Sequence, residues 1–394
     1  MKKLRRTFGL LTMAGMLAVS LSACGSGGAA SSQNGSAGNT SAGTATTASA
    51  SANTTTAGNA SAGTTAAAKD LITTAAKAGK VGNWGYGNQY EIQALLAKYS
   101  LPTNYLTQAF DMDAFDSDSI WLASAMTYNE LGLVKNSYEG GYGYGKDIGT
   151  IDMNDEGVAM LEDNLFCTKE FAKENPNTVK AFISASLKGW KYACEHPEEA
   201  AKIVYQYGSS VSADHQAYMA AEVKKLVETD TAGKAVTNIG EMPDSAMQQT
   251  LDLAKKYIQL DDSAATAALK TMKLDDIRNA SYFTDCANHG TPEKSSVSIQ
   301  LKWLPQAQFM GYFVADSLGY YKEAGLTVNI VSGGGDISET VAVQNGTVDF
   351  GVTWVSNLIS ADASGSSLVE VAQIFQRSGL VLCYKQDNKN LIQK

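Results

Sequence analysis

The sequence predicts an α/β protein made of two lobes, and three observations carry that prediction. From residue 297 to 375, short apolar runs of strand length alternate with amphipathic segments of helix length. Short links join them, which is the pattern of a mainly parallel sheet with helices on both faces. The same alternation starts independently at Val81, and a long helical stretch separates the two blocks, so each block has its own lobe.

In the C-terminal block, residues 297–303 (VSIQLKW) alternate in polarity as a strand ending at Trp303. Residues 311–324 follow as one helix, which Gly325 ends, and residues 327–331 form a second strand. Asp336 and Glu339 resemble the N-cap and N3 residues of a capping box, opening a helix that ends before Gly346. Strands at 348–352 and 368–375 flank a short helix at 355–363. In the first block, Asn88 and Glu91 have the spacing of a cap and its N3 partner, heading a helix over 88–99. Residues 120–126 and 148–153 are strand-like. Helices are predicted at 177–195, 198–207, 217–228, 245–258 and 263–272.

The N-terminus is of another kind. Lys2, Lys3, Arg5 and Arg6 precede an apolar run over 8–19, too short to span a bilayer, and then Leu21-Ser22-Ala23-Cys24. This resembles a bacterial lipobox and implies a signal peptide over 1–23 with a diacylglycerol on Cys24. Residues 25–67 contain only Gly, Ser, Ala, Thr, Asn and one Gln. Nothing there offsets the entropy of ordering, so 24–68 is expected to be a flexible tether. No later run approaches a membrane span. Removing the four leader cations takes the formal charge from −9 to −13, which argues against nucleic acid as a partner.

Enzyme signatures are weak. Residues 140–146 (GGYGYGK) begin like a P-loop, but Asp147 stands where Ser or Thr must hold magnesium. Asp111, Asp113, Asp116 and Asp118 lack the glycine and glutamate of a calcium loop. His196, His215 and His289 share no ligand spacing, so no metal or cofactor is expected. Cys167, Cys194, Cys286 and Cys383 are scattered and favoured as free thiols, although export would permit any of three pairings.

Aromatic and amide residues gather instead at strand ends and helix starts, where open sheets bind ligands. Trp303 and Gln308 follow the first strand of the second block, and Trp354 and Asn357 follow its third. Trp84, Tyr86 and Asn88 lie in a Gly-rich loop before a helix, and Tyr128, Asn129 and Glu130 follow the strand ending at Met126. The flat rings suggest stacking on a planar ligand. Glu130, Asp155, Asn88 and Gln308 could bond its amino and ring-nitrogen groups.

The stretches LKWLPQAQFMGYFVA, LGYYKEAGLTV, GGGDI, VDFGVTW and AQIFQRSG, with KVGNWGYGNQYE, FDMDAF, ASAMTYNE, NDEGVAML and SLKGWKYACEHPEEA, carry a resemblance. They are similar to the thiamine-pyrimidine-precursor-binding branch of the ABC-transporter substrate-binding proteins, whose relatives bind alkanesulfonates, taurine or nitrate. The resemblance implies a type II periplasmic-binding-protein-like fold, with two α/β lobes closing about a hinge. It implies a monomeric, extracytoplasmic, lipid-anchored binding protein whose partners are a small-molecule ligand and the permease and ATPase subunits. Eukaryotic relatives that synthesise the pyrimidine use a reactive histidine and a cysteine-rich motif. Neither is present, so binding without catalysis is expected, with a synthetic enzyme or a ligand sensor as alternatives. The ligand expected is a pyrimidine precursor or a larger heterocycle such as a flavin; a sulfonate or nitrate is the alternative. The matching segments stand in reverse of the family order. That suggests a circular permutation, or a rearranged gene, with the old termini joined through 286–296. Lobe II would then comprise 69–158 and 379–394, and lobe I 159–290 and 296–378, with crossings at 375–379 and 155–158.

Overall fold

The structure, a computed structural model, describes residues 61–208 and 211–391. The leader, Cys24 and the tether up to residue 60 lie outside the described residues. The helix Ser61–Lys77 takes in residues 61–68, which the sequence reading assigned to the tether. Alanine has the highest helix propensity, and the turn that buries Ile72 and Ala75 anchors the helix from its C-terminal half.

Two five-stranded sheets organise the rest. The first has the order β2-β1-β3-β10-β4 and the second β7-β6-β8-β5-β9. Its strands are β1 Val81–Asn83, β2 Leu106–Thr107, β3 Leu122–Met126, β4 Ile148–Asp152 and β10 Leu380–Lys385. Those of the second are β5 Asn164–Thr168, β6 Ser296–Gln300, β7 Thr327–Val331, β8 Phe350–Thr353 and β9 Leu368–Gln373. Neither sheet is wholly parallel. β10 runs antiparallel to β3 and β4, and β5 antiparallel to β8 and β9. In each sheet the antiparallel strand is the one the chain enters on arriving from the other. With helices packed about the two sheets, this is a two-lobed, periplasmic-binding-protein-like α/β fold.

Burial explains which strands were legible. β3, β8 and β9 are buried at every position and are mainly apolar, interrupted only by the buried Ser124, Thr353, Glu370 and Gln373. The two-residue β2 is exposed and carries no such pattern. Several predicted ends move. β6 stops at Gln300, so Trp303 lies in the loop beyond it. The helix expected over 311–324 is two, Met310–Ser317 and Tyr320–Glu323, because Gly319 takes a left-handed φ of +78° that breaks the ladder. The N-cap expected at Asp336 is Ser338, whose hydroxyl accepts from the Val341 N–H, with Glu339 the first helical residue. Asn88 occupies an N-cap position without a capping bond.

The chain passes between the sheets twice, over 153–163 and 374–379, and the crossings are tied together. Asn154 Nδ2 donates to the Ser378 carbonyl at 2.8 Å, and the Ser378 N–H returns a bond to Asn154 Oδ1 at 3.2 Å. Glu162 accepts from the Ser378 hydroxyl and the Gly379 N–H, both at 3.0 Å. Burial raises the Glu162 carboxyl well above its usual value, and the charge of Glu91 adds to the rise.

The helix Pro176–Glu195 begins with Pro at a position where no amide donor is missed, and lays Phe182 between Tyr321 and Phe350 at 5.1 and 4.1 Å. Glu293, in the 286–296 segment, docks on the start of this helix. It accepts from the N–H groups of Asn177 (3.1 Å) and Thr178 (2.8 Å). The tyrosine-rich loop packs on the acidic turn, with Tyr142 donating to Asp113 at 2.7 Å, which absorbs both the P-loop-like and the calcium-like segments. Cys167, Cys194, Cys286 and Cys383 are free, and no helix among the described residues is long and apolar enough to cross a membrane.

Candidate ligand cleft

A cleft of about 640 Å³ lies between the two lobes. Its first wall comes from the loop after β1 and the turn after β3; its second comes from the loop after β6, residues 334–341 and the helix Val355–Ala363. Of the residues singled out from sequence, Trp84, Tyr86, Tyr128, Asn129, Glu130, Trp303, Gln308, Trp354 and Asn357 line it. Asn88 and Asp155 do not. Asn88 is buried beside the Met126 sulfur, 3.9 Å from its Nδ2. Asp155 is exposed on the turn of the first crossing, near Asp152 and Arg377.

The lobes touch across the cleft. Phe110 of the first wall lies 4.8 Å from the Trp303 ring and 5.2 Å from Tyr86. Ser356 donates to the Gly87 carbonyl at 2.8 Å and Asn357 Nδ2 to the Tyr86 carbonyl at 3.2 Å. The tryptophans are unequal. Trp84 is 7% exposed and donates its indole N–H to the Ala109 carbonyl at 3.1 Å, so it also holds the first wall together. Trp354 is 8% exposed and lies under Lys302, whose Nζ sits 4.6 Å from the ring centroid. Trp303, half-buried in a loop, is the most exposed of the three.

Glu130 is buried at the start of its helix. Its Oε2 accepts the Met126 N–H at 3.0 Å and its Oε1 accepts the Asn129 amide at 2.9 Å. Burial raises its carboxyl to about 7 against those bonds. Asn129 in turn holds His215 Nε2 at 2.8 Å, and His215 Nδ1 faces the Tyr138 hydroxyl at 2.5 Å. Burial lowers His215 to about 4, so it is neutral at pH 7 and Nε2–H donates while Nδ1 accepts. Tyr128 is buried edge-on to Phe375 at 5.8 Å.

The second wall holds groups the sequence reading missed. Lys302 pairs with Glu339 at 3.0 Å, both more than nine-tenths buried, and the Thr353 hydroxyl donates to the same carboxylate. Burial opposes ionisation of Glu339, but the Lys302 charge and the Thr353 bond prevail and hold it below its usual value. Behind them Gln308 Nε2 donates to Asp163 Oδ2 at 2.8 Å, and Gln306 Nε2 donates to Gln308 Oε1 at 2.7 Å. Burial raises Asp163 to about 7, opposed by Gln308 and by the Lys302 charge. Asp163 Oδ1 and the Trp354 indole N–H are buried beside one another, and the indole also opposes the rise of the Asp163 carboxyl. A signal existed for the ion pair. A lysine inside a strand-like run is rarely buried without an acid, but Asp316, Glu323 and Asp336 all lie closer to Lys302 in sequence than Glu339, so the pattern does not name the partner. Phe110 opens the FDMDAF stretch of the family resemblance, but one aromatic in a loop carries no periodicity that would place it in the cleft.

Lys302 is the one cation among the lining residues, against the three acids Glu130, Asp336 and Glu339. No group of residues suited to a metal occurs among the described residues.

A family model described as NMT1/THI5 like matches residues 52–200 and 306–394. No curated protein and no solved structure matches the chain. The two matched segments make up more than half of the sequence and carry residues of both cleft walls. The chain therefore belongs to the NMT1/THI5-like family, mainly one of solute-binding proteins, which includes substrate-binding proteins of ABC transporters.

Proposed function

We propose that the protein captures a planar, amino-bearing heterocycle, a thiamine pyrimidine precursor or a molecule of that chemistry, for an ABC importer, and does no chemistry on it. The observation that carries this reading is the composition of the cleft: aromatic rings from both lobes, buried carboxylates, and one cation already committed to an acid. Offset or edge-on stacking adds about 0.5–1.5 kcal/mol per ring pair beyond area burial. Glu130 supplies a carboxylate acceptor for an amino group, a bond worth about 1.5–3 kcal/mol. A sulfonate or nitrate would meet Glu130 and Asp336 with Lys302 already paired, so the anion reading is the weaker one.

In this reading Cys24 carries the lipid, residues 25–60 tether the binding lobes outside the cell membrane, and a permease with its ATPase receives the ligand from a monomer. The reversed order of the family segments is a circular permutation. Two facts support that: β10, late in the sequence, lies between β3 and β4, and the 286–296 segment docks against the helix Pro176–Glu195.

Thermal-shift and calorimetric titration with aminopyrimidines, flavins, taurine and nitrate tests the ligand class. At 100 times its dissociation constant a ligand adds about 2.7 kcal/mol of stability. A response to taurine or nitrate with none to the heterocycles overturns the reading. Cys24→Ala should move the protein out of the membrane fraction or leave its leader uncleaved; unchanged fractionation with normal processing removes the anchor from the proposal.

A further inference from the structure

The cleft extends beyond its aromatic end. Asn357, Ser360, Ala361 and Ser364 of the helix Val355–Ala363 and its cap line it in succession. From residue 357 to 364 is about 10 Å at 1.5 Å per residue. The Asn357 end is the aromatic one, since Asn357 bonds the Tyr86 carbonyl and Tyr86 leads through Phe110 to Trp303. The 336–341 segment also lines the cleft and brings Ser338 and Thr340 with the exposed Ile337 and Val341 and no ring. The hydroxyls of Ser360, Ser364 and Ser366 line this end, and among the described residues none bonds a protein group.

We propose that the cleft takes a two-part ligand: a planar heterocycle at the aromatic end bearing a neutral, polyhydroxylated arm, a sugar or sugar alcohol, laid along the helix Val355–Ala363. This rests on the heterocycle reading above and adds the arm to it. Length requires an arm, because one six-membered ring covers a fraction of a 10 Å wall. The arm is neutral because an anionic one would face Asp336 and Glu339 without a free cation. It is hydroxylated because each serine hydroxyl donates one bond and accepts two, matching a chain of hydroxyls in either sense. An alkyl arm would cover those groups and leave them unbonded. The exposed Ile337 and Val341 offer apolar contact to the C–H edge of such an arm.

Two ligand pairs that differ only in the arm test this on the full chain: cytosine against cytidine, and lumiflavin against riboflavin. Calorimetric titration should find the arm-bearing member of a binding pair about tenfold tighter or more. In Ser360→Leu and Ser364→Leu that ratio should fall toward one, because each leucine fills the groove beside the helix. Ser364 is exposed, so at least that variant should fold, and its melting temperature checks this. Equal affinities within a binding pair overturn the arm while leaving the heterocycle reading in place. A ratio that survives in folded variants places the arm elsewhere and overturns the proposal. Failure of all four probes to bind overturns the heterocycle reading and the arm with it.

Discussion

Glu130 serves the ligand and the fold at once. Its two oxygens accept the Met126 N–H and the Asn129 amide, so the residue that would hold an amino group also closes the turn after β3. Glutamine keeps one acceptor and sets an NH₂ against one of those donors, which costs about 1–3 kcal/mol when buried. Glu130→Gln should therefore weaken an aminopyrimidine by about tenfold or more and also lower the melting temperature. Loss of stability with unchanged affinity would make Glu130 structural alone. Trp303→Ala is the cleaner test of stacking, because Trp84 also bonds the Ala109 carbonyl. Glu91 carries a pH prediction. Burial raises its carboxyl to about 8, from an ordinary value of 4.5. Between those values the folded chain holds a proton that the unfolded chain has lost. The stabilisation is complete below pH 4.5 and is lost as pH rises through 8, at about 1.4 kcal/mol per pH unit for each proton. Glu162 shifts in the same direction. Glu91→Gln keeps an acceptor for the Met160 N–H, at 2.9 Å in the parent, and removes the charge. Its melting temperature should match the parent's near pH 4.5 and exceed it by pH 8; parallel curves would show that Glu91 is not protonated in the fold.

Among the elements, helices with strong apolar periodicity were placed to within a few residues by sequence, and their ends were less legible. The helix Pro176–Glu195 shows why. Its first amides are satisfied by Glu293, more than a hundred residues later in the chain. Local capping rules see only neighbours, so such a partner is invisible to them. Glu293→Ala should cost about 0.5–1 kcal/mol, the low end for an exposed cap at a helix start, read as a shifted urea midpoint. Bonds from the Asn177 and Thr178 N–H groups outweigh desolvation and hold its carboxyl below 4.5. The stabilisation is present above pH 4.5 and lost as pH falls below it, so parent and variant should converge in acid. The antiparallel strands β5 and β10 make a related point. Both are apolar runs of strand length, but direction is set by where the chain comes from, and each comes from the other sheet.

At the scale of the molecule, the cleft depends on contact between the Gly-rich loop and the helix Val355–Ala363. Gly87 has a φ of +120°, and a Cβ there would fall 2.0 Å from Asn357 Oδ1. Gly87→Ala should hold the walls apart. Affinity for any cleft ligand should fall about tenfold while cooperative unfolding persists, and small-angle scattering of the ligand-saturated variant should give a larger radius of gyration than the saturated parent. An unchanged affinity would mean that this contact does not govern closure. The sequence by itself determined the α/β class and the two blocks, and it pointed to the strand ends and helix starts that line the cleft, because burial periodicity and strand-end placement are written locally. It did not determine that Asn88 turns inward to Met126, that Asp155 faces solvent, or that Lys302 pairs with Glu339 over Trp354. Those outcomes belong to the tertiary structure. A polar side chain buried at a lobe junction takes whichever partner the other segment brings within about 3 Å, and that segment can lie anywhere in the chain.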